Sequence, residues 1–448
     1  MTQGKGAKSI AVIGTGIAGM AAAWLLSQRH EVTVYEKADR PGGHTNTVLV
    51  PGKHGSLPVE TGFIVYNEAA YPNLTALFRH LDIPTIESDM SFTVSLRGGK
   101  LEYSGTNLTG LFSQKINLLR PRFWSMLRNI IHFYRNASSE VDWLDDSTTL
   151  GEFLDAKNYS TALRDDHLLP MAGAIWSAAP RELLAYPARS FIRFFVNHQL
   201  LNLGHRSPWR TVKGGSRNYV EKLIDPYRDK IRLRSEIASL IRDETSVVLD
   251  DRRHGLARYD AVVIATHADQ ALRLLDHPTH QEERLFGAFR YSRNLAVLHS
   301  DARLMPRRPR VWSSWNYIGG ADCRDDVASV TYWMNRLQKF ENEKPFFLSL
   351  NPGLPPKNII HQEVYEHPIF DCRGLSAQRD LWSLQGHRNT WFCGSYFGSG
   401  FHEDGLQSGL AVAEALGGVK RPWRVPAESD RIELGPPASP RNQYECAA

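Results

Sequence analysis

The chain has 448 residues, 42% of them hydrophobic and 23% charged, which is the composition of a folded protein large enough for more than one core. A formal net charge of +5 is too mild to imply a nucleic-acid partner, and no apolar run approaches the length needed to span a bilayer. Cys323, Cys372, Cys393 and Cys446 are scattered without metal-ligand spacing, which fits free thiols in a reducing compartment and no metal site.

In chain order, residues 1–8 lead straight into the first strand with no apolar leader segment, so a cytoplasmic location is expected. Residues 10–13 form a short β-branched strand that runs into Gly14-x-Gly16-x-x-Gly19 and an alanine-rich helix. Gly14 permits a tight turn, Gly16 lets the backbone approach a pyrophosphate, and Gly19 lets helix and strand pack closely. Ile17 and Ala18 then open the helix whose N-terminus receives the phosphate charge. A second strand over residues 31–35 ends on Glu36, placed to accept hydrogen bonds from ribose hydroxyls and to repel a 2′-phosphate, which disfavours NADP. Lys37 follows, and then a second glycine doublet, Gly42-Gly43, with His44 and Thr45. An NAD enzyme has no need of this further close approach to the ligand.

Residues 108–170 read as helical, with apolar positions recurring at three- and four-residue spacing. Within them residues 115–135 set Lys115, Arg120, Arg122, Arg128 and Arg135 among Leu, Ile, Phe, Trp and Tyr, and no acidic residue occurs between Glu102 and Glu140. Two readings stand: an ordinary cap helix with a core-facing stripe, or a segment that lies on an anionic membrane surface. Arg307, Arg308 and Arg310 would join that surface or form a solvated turn. Trp176 begins a small-residue turn after an apolar helix. Strands are expected at residues 294–299, 311–315 and 329–334, carrying Trp312, Trp315 and Tyr332; with Trp176 and Phe401 these are the candidate substrate-pocket residues. Near the C-terminus, residues 390–413 read as a strand, a glycine-rich loop and a small-residue helix. Gly394, Glu403, Asp404, Gly405, Leu406 and Ser408 are its candidate cofactor contacts. His402 is the candidate catalytic acid or base, with a satisfied structural donor as the alternative reading. Residues 426–448, rich in Pro, Glu and Ser, read as a poorly ordered tail.

These segments resemble the FAD-dependent amine oxidase and phytoene desaturase superfamily. The glycine pair Gly214-Gly215 and the strand-like residues 259–267 are similar to further superfamily segments. Within it, the chain resembles a bacterial group of predicted NAD/FAD-binding flavoproteins similar to the flavin domain fused ahead of plant cyclopropane fatty acid synthases. The resemblance implies an α/β fold: a Rossmann-like FAD-binding domain with an intertwined α+β substrate cap. The expected boundaries are 8–90, 205–290 and 385–425 for the FAD domain and 91–204 and 291–384 for the cap. Two departures matter. The superfamily's Gly-Gly-Arg is Gly42-Gly43-His44 here, and the aromatic Tyr of its C-terminal motif is Phe401, followed by His402, Glu403, Asp404 and Gly405.

Non-covalent FAD is therefore the expected cofactor, positioned by Gly14, Gly16, Glu36, Gly42, Gly43 and the C-terminal loop. No second GxGxxG occurs, so the electron partner is external. The expected activity is an FAD-dependent oxidoreductase acting on an apolar, fatty-acyl or lipid substrate in a desaturase- or reductase-type reaction. A flavin amine oxidase is one alternative, with the Tyr-to-Phe departure against it. A non-redox flavin-dependent isomerase, or an accessory lipid-binding flavoprotein serving an acyl-chain methyltransferase, is the other. The basic segment would place the protein at the inner face of the membrane.

Overall fold

The computed structural model describes residues 6–202, 204, 207–319, 329–340 and 344–435. Cys323, Cys446 and residues 436–448 of the expected tail lie outside the described residues.

Five parallel strands form one sheet, in the order Ile231–Leu233, Glu31–Glu36, Ser9–Ile13, Ala261–Ile264 and Thr390–Phe392. Every strand comes from the segments expected to build the FAD domain. The central strand is buried on both faces, as a parallel sheet demands, so residues 10–12 read as a continuous apolar run. The helix Ile17–Leu26 is buried along its whole length, which is why it is built from alanine, glycine and leucine instead of showing a polar face. One side packs on the sheet through Gly19, where a Cβ would come within 2.0 Å of the Gly14 carbonyl oxygen. Its other side meets the helix His402–Gly417, where a Cβ on Gly409 would come within 2.2 Å of the Ala18 carbonyl oxygen. The two ends of the chain thus meet at the glycine turn.

The cap is a seven-stranded sheet in the order Ile359–Ile369, Arg290–His299, Phe347–Leu350, Ser329–Trp333, Trp315–Ile318, Phe92–Leu96 and Leu101–Ser104. All neighbours are antiparallel except Trp315–Ile318 and Phe92–Leu96, which run parallel. The helices Pro121–Glu140, Leu169–Trp176 and Ala188–Asn197 complete this layer.

Two expectations need correction. The strand expected over residues 311–315 begins only at Trp315. Pro309 opens a short turn, Pro309–Val311, and the Asn316 side chain ties back to the Ser313 amide at 2.9 Å. Trp312 therefore leaves the strand. The expected loose tail is docked over residues 426–435: Ile432 is buried in the core, and Arg431 pairs with Asp404 at 3.3 Å and lies over the Tyr71 ring. A buried carboxylate with a guanidinium partner outweighs the weak composition signal.

Candidate active site

A cavity of about 1090 Å³ runs from the glycine turn of the parallel sheet into the cap. Its near end is lined by Gly14, Gly16, Ile17, Ala18, Glu36 and Lys37, and by Gly42, Gly43 and His44 of the second glycine doublet. The geometry there suits a dinucleotide. A Cβ on Gly16 would meet nothing within 4 Å, so this backbone faces open space, while one on Gly43 would sit 3.0 Å from the Gly16 Cα. Gly14 adopts φ +101°, a conformation that only glycine takes without strain. The helix Ile17–Leu26 has no side-chain cap and no acidic residue in its first turn, so its leading N–H groups are free for a phosphate. Lys37 and Arg40 add positive charge on the cavity wall. Arg40 also braces the doublet, donating to the Gly43 and Thr45 carbonyls at 3.2 Å.

Glu36 lines the cavity, but its carboxylate is already engaged. One oxygen accepts from the Thr15 amide at 2.9 Å and the other from the Ala38 amide at 2.8 Å. These bonds fix the group at the end of its strand and leave lone pairs for a ribose hydroxyl.

At the C-terminal loop the structure divides the expected cofactor contacts. Gly394 and Gly405 line the cavity. Glu403, Asp404, Leu406 and Ser408 do not line it. Glu403 is fully buried and turns outward to the helix Pro72–His80, accepting from the Asn73 and Leu74 amides at 2.9 Å. Asp404 accepts from the Phe401 amide at 2.7 Å and holds Arg431. Ser408 binds both the Gly394 amide and its carbonyl, and Leu406 is core. Gly19 and Thr45 also stand behind the wall: Gly19 is a packing glycine, and Thr45 Oγ1 bonds the Tyr219 hydroxyl at 2.5 Å. The physical reason is common to the carboxylates. A buried helix N-terminus needs acceptors, and acidic residues in the first turn meet that need within the protein.

His402 lines the cavity, stacked on Phe63 with centroids 3.9 Å apart and with Nε2 2.6 Å from the Tyr219 hydroxyl. Burial lowers its pKa to about 3, which favours the neutral ring in the physiological range. Tyr219 links it to Thr45. Phe63 carried no motif that marked it in the sequence, and Tyr219 lies in the segment after the Gly214-Gly215 pair, which gave it no role of its own. His44 sits within ring-contact distance of Tyr365, His367 and His267, and burial lowers His44 and His267 to about 4 and His367 to about 3. This neutral imidazole cluster takes the place of an arginine beside the glycine doublet. No group of three His, Cys, Asp or Glu among the described residues is placed to share a metal ion.

The far end of the cavity is aromatic. Phe401 is ringed by Phe194 at 4.7 Å, His198 at 5.8 Å and Trp176 at 6.3 Å. Trp315 and Tyr332 of the cap sheet form the facing wall, in edge contact at 4.8 Å. Trp312 is absent from it: its indole N–H donates to the Pro306 carbonyl at 2.8 Å, and its ring packs on Trp333 and Phe347. His198 bonds the Phe194 carbonyl through Nδ1 at 3.0 Å, which fixes Nδ1 as the protonated nitrogen, and burial lowers the ring to about 3.

Comparison with known proteins agrees with this geometry. A Mycobacterium tuberculosis protein assigned as a flavin-containing monoamine oxidase, AofH, is 27% identical over 266 residues, covering 57% of this chain and 56% of that one. The match thus spans just over half the length of that relative. Among solved structures, cyclohexylamine oxidase from Brevibacterium oxydans superposes with a TM-score of 0.64 at 17% identity, covering 92% of this chain and 99% of that one. A CLA-producing fatty acid isomerase from P. acnes gives 0.65 at 16% identity, covering 91% and 97%. Residues 17–300 match the model of the flavin containing amine oxidoreductases. The chain belongs to that family, whose cofactor is FAD, and the glycine cradle, the helix N-terminus and Glu36 are the groups that would hold it.

Proposed function

We propose that the protein oxidises or reduces an apolar fatty-acyl or lipid substrate, in a desaturase- or reductase-type reaction. The observation that carries this reading is the chemistry of the cap wall. The carboxylates lining the cavity are Glu36 and Glu236 at the cradle and Glu363 and Glu366 on the strand Ile359–Ile369. The last of these lies 3.4 Å from His267, beside the second glycine doublet. Around Phe401, Trp176, Trp315 and Tyr332 the described lining holds no carboxylate, and His198 is neutral. An alkyl chain loses nothing on entering such a wall, whereas an ammonium ion would give up its hydration without a counter-charge. FAD, when bound, supplies the hydride acceptor or donor. The residues of the wall exclude water and orient the chain.

One observation favours a second reading. Trp176, Phe194 and Phe401 line the cavity with aromatic rings, a residue type that can hold an amine by cation–π contact, and the architecture is shared with an amine oxidase as well as a fatty acid isomerase. The test is anaerobic absorbance of the FAD-loaded protein mixed with fatty acids, with phospholipid, and with a panel of primary amines. Acyl chains should bleach the oxidised flavin or reoxidise the reduced one. Bleaching by amines alone would replace the first reading with the second. No response to any of them would favour a non-redox isomerase or an accessory protein. Lipid extracts from cells with and without the protein should differ by the mass of two hydrogens.

A further inference from the structure

We infer that the surface formed by residues 108–135 docks on an anionic lipid bilayer, with Ile116, Leu118, Leu119 and Trp124 entering the headgroup layer and Lys115 and Arg128 facing its phosphates. The primary observation is an inverted turn. Over residues 114–119 the uncharged polar side chains go in and the apolar ones go out. Gln114 and Asn117 are 4% and 0% exposed, whereas Ile116 and Leu119 are 51% and 79% exposed. The inversion is held in place by hydrogen bonds. Gln114 accepts from the Glu102 amide and donates to the Gly99 carbonyl, both at 2.9 Å, so the turn is pinned to the hairpin at residues 96–102 by its own polar side chains. Water opposes such an arrangement, because each exposed leucine or isoleucine forfeits the favourable free energy of burial.

The apolar patch extends beyond the turn. The Trp124 indole N–H donates to the Leu118 carbonyl at 2.9 Å, which fixes the half-exposed ring beside the turn. Along the helix Pro121–Glu140, Trp124, Arg128, Ile131 and Arg135 follow one another at four- and three-residue spacing and all are exposed, so they form a single stripe.

Charge selects the occupant. No acidic residue lies between Glu102 and Glu140. Glu102 itself is buried and bound to Arg308 at 2.7 Å, so it adds no negative field. Arg122 is committed to Asp165 and Asp166, and Arg120 to the Lys100 carbonyl. Lys115, Arg128 and Arg135 show no salt bridge among the described residues and are exposed. Apolar tips bordered by free cations match the interface of an anionic membrane, where acyl chains take the former and phosphates the latter. No described helix is long and apolar enough to cross a membrane, so the contact is peripheral. The inference is independent of the substrate reading.

The experiment is co-sedimentation of the FAD-loaded protein with vesicles of phosphatidylcholine alone and of phosphatidylcholine mixed with phosphatidylglycerol. Wild type should sediment with the mixed vesicles at low salt and be released by salt. Arg128→Glu combined with Arg135→Glu should weaken binding by about thirtyfold or more, two cations at about 1 kcal/mol each. Leu119→Ser combined with Trp124→Ser should also release it. All four positions are exposed, so flavin absorbance and melting should not move. Wild type that stays in the supernatant, or that binds neutral vesicles equally well, overturns the inference, as do variants that sediment like wild type. Dimerisation abolished by Leu119→Ser, without lipid binding, would assign the face to a second copy of the chain and also overturn it.

Discussion

Glu403 offers a test that separates a cofactor contact from a structural clamp. Its carboxylate accepts four hydrogen bonds: from the Asn73 amide, Asn73 Nδ2 and Leu74 amide at 2.9 Å, and from Gln407 Nε2 at 3.1 Å. The helix Pro72–His80 has no side-chain cap of its own, so the Asn73 and Leu74 amides depend on this group. Glu403→Gln keeps one acceptor oxygen and turns an NH₂ toward donors. At least one charge-assisted bond is lost and one buried donor is left without an acceptor, which together cost about 3 kcal/mol. Unfolding entropy near 2.1 cal/mol/K per residue gives about 0.9 kcal/mol/K for 448 residues, so Tm should fall by about 3 °C if the molecule melts as one unit. Calorimetry of wild type and variant at equal FAD concentration measures the shift, and quenching of flavin fluorescence measures affinity. The expected result is a lower Tm with FAD affinity close to wild type. An unchanged Tm with tenfold weaker FAD binding would refute the reasoning and return Glu403 to the cofactor.

Gly16→Val should abolish FAD binding while leaving the fold intact, because the new Cβ enters the open cradle with no protein atom within 4 Å; a yellow variant would disprove the cradle. His402→Ala should retain FAD and slow turnover by less than about tenfold, since a neutral imidazole held by Tyr219 positions the site; a loss of about 10²–10⁴-fold would show that it moves a proton in the reaction. Acid should destabilise the protein. Burial lowers His44 and His267 to about 4 and His198, His367 and His402 to about 3, so their contribution is complete above pH 6.5 and drains as pH falls through those values, at about 1.4 kcal/mol per pH unit per group. Glu60 acts oppositely: burial raises it to about 7, so its contribution is whole below pH 4.5 and is lost as pH rises through 7. The imidazoles outnumber it, and Tm should drop between pH 7 and about pH 5; a flat profile would contradict their burial as neutral rings.

The strand, the glycine turn and Glu36 were legible because each answers to a local requirement: a turn at positive φ, a backbone open to a phosphate, an acceptor at a strand end. The long-range partnerships were not. Glu403 and Asp404 follow a glycine loop and resemble ligand groups. Their acceptor capacity instead goes to Asn73 and Leu74, some 330 residues earlier, and to Arg431. Trp312 belongs to a segment, residues 311–315, that reads as a strand, yet Pro309 and Asn316 build a turn that removes it from the pocket. Residues 115–135 left two readings, cap core and lipid surface, because composition does not say which side chains face in; at the turn that begins the segment, the buried Gln114 and Asn117 do.

The close approach of Ala18 and Gly409 has a consequence for biosynthesis. The helix Ile17–Leu26 leaves the ribosome long before the helix His402–Gly417 that covers it, and so does the strand Ala261–Ile264, whose outer neighbour Thr390–Phe392 is also late. Such a contact, spanning nearly the whole chain, closes last and slowly. Until then the alanine-rich helix and one edge of the sheet stay uncovered on the nascent chain. FAD loading is thereby tied to the end of translation: a chain ending before Thr390 would hold the phosphate turn and Glu36 yet lack Gly394, Gly405 and the loop that completes the cavity. Prematurely terminated chains should be colourless and should depend on chaperones, whatever the quality of their N-terminal sequence.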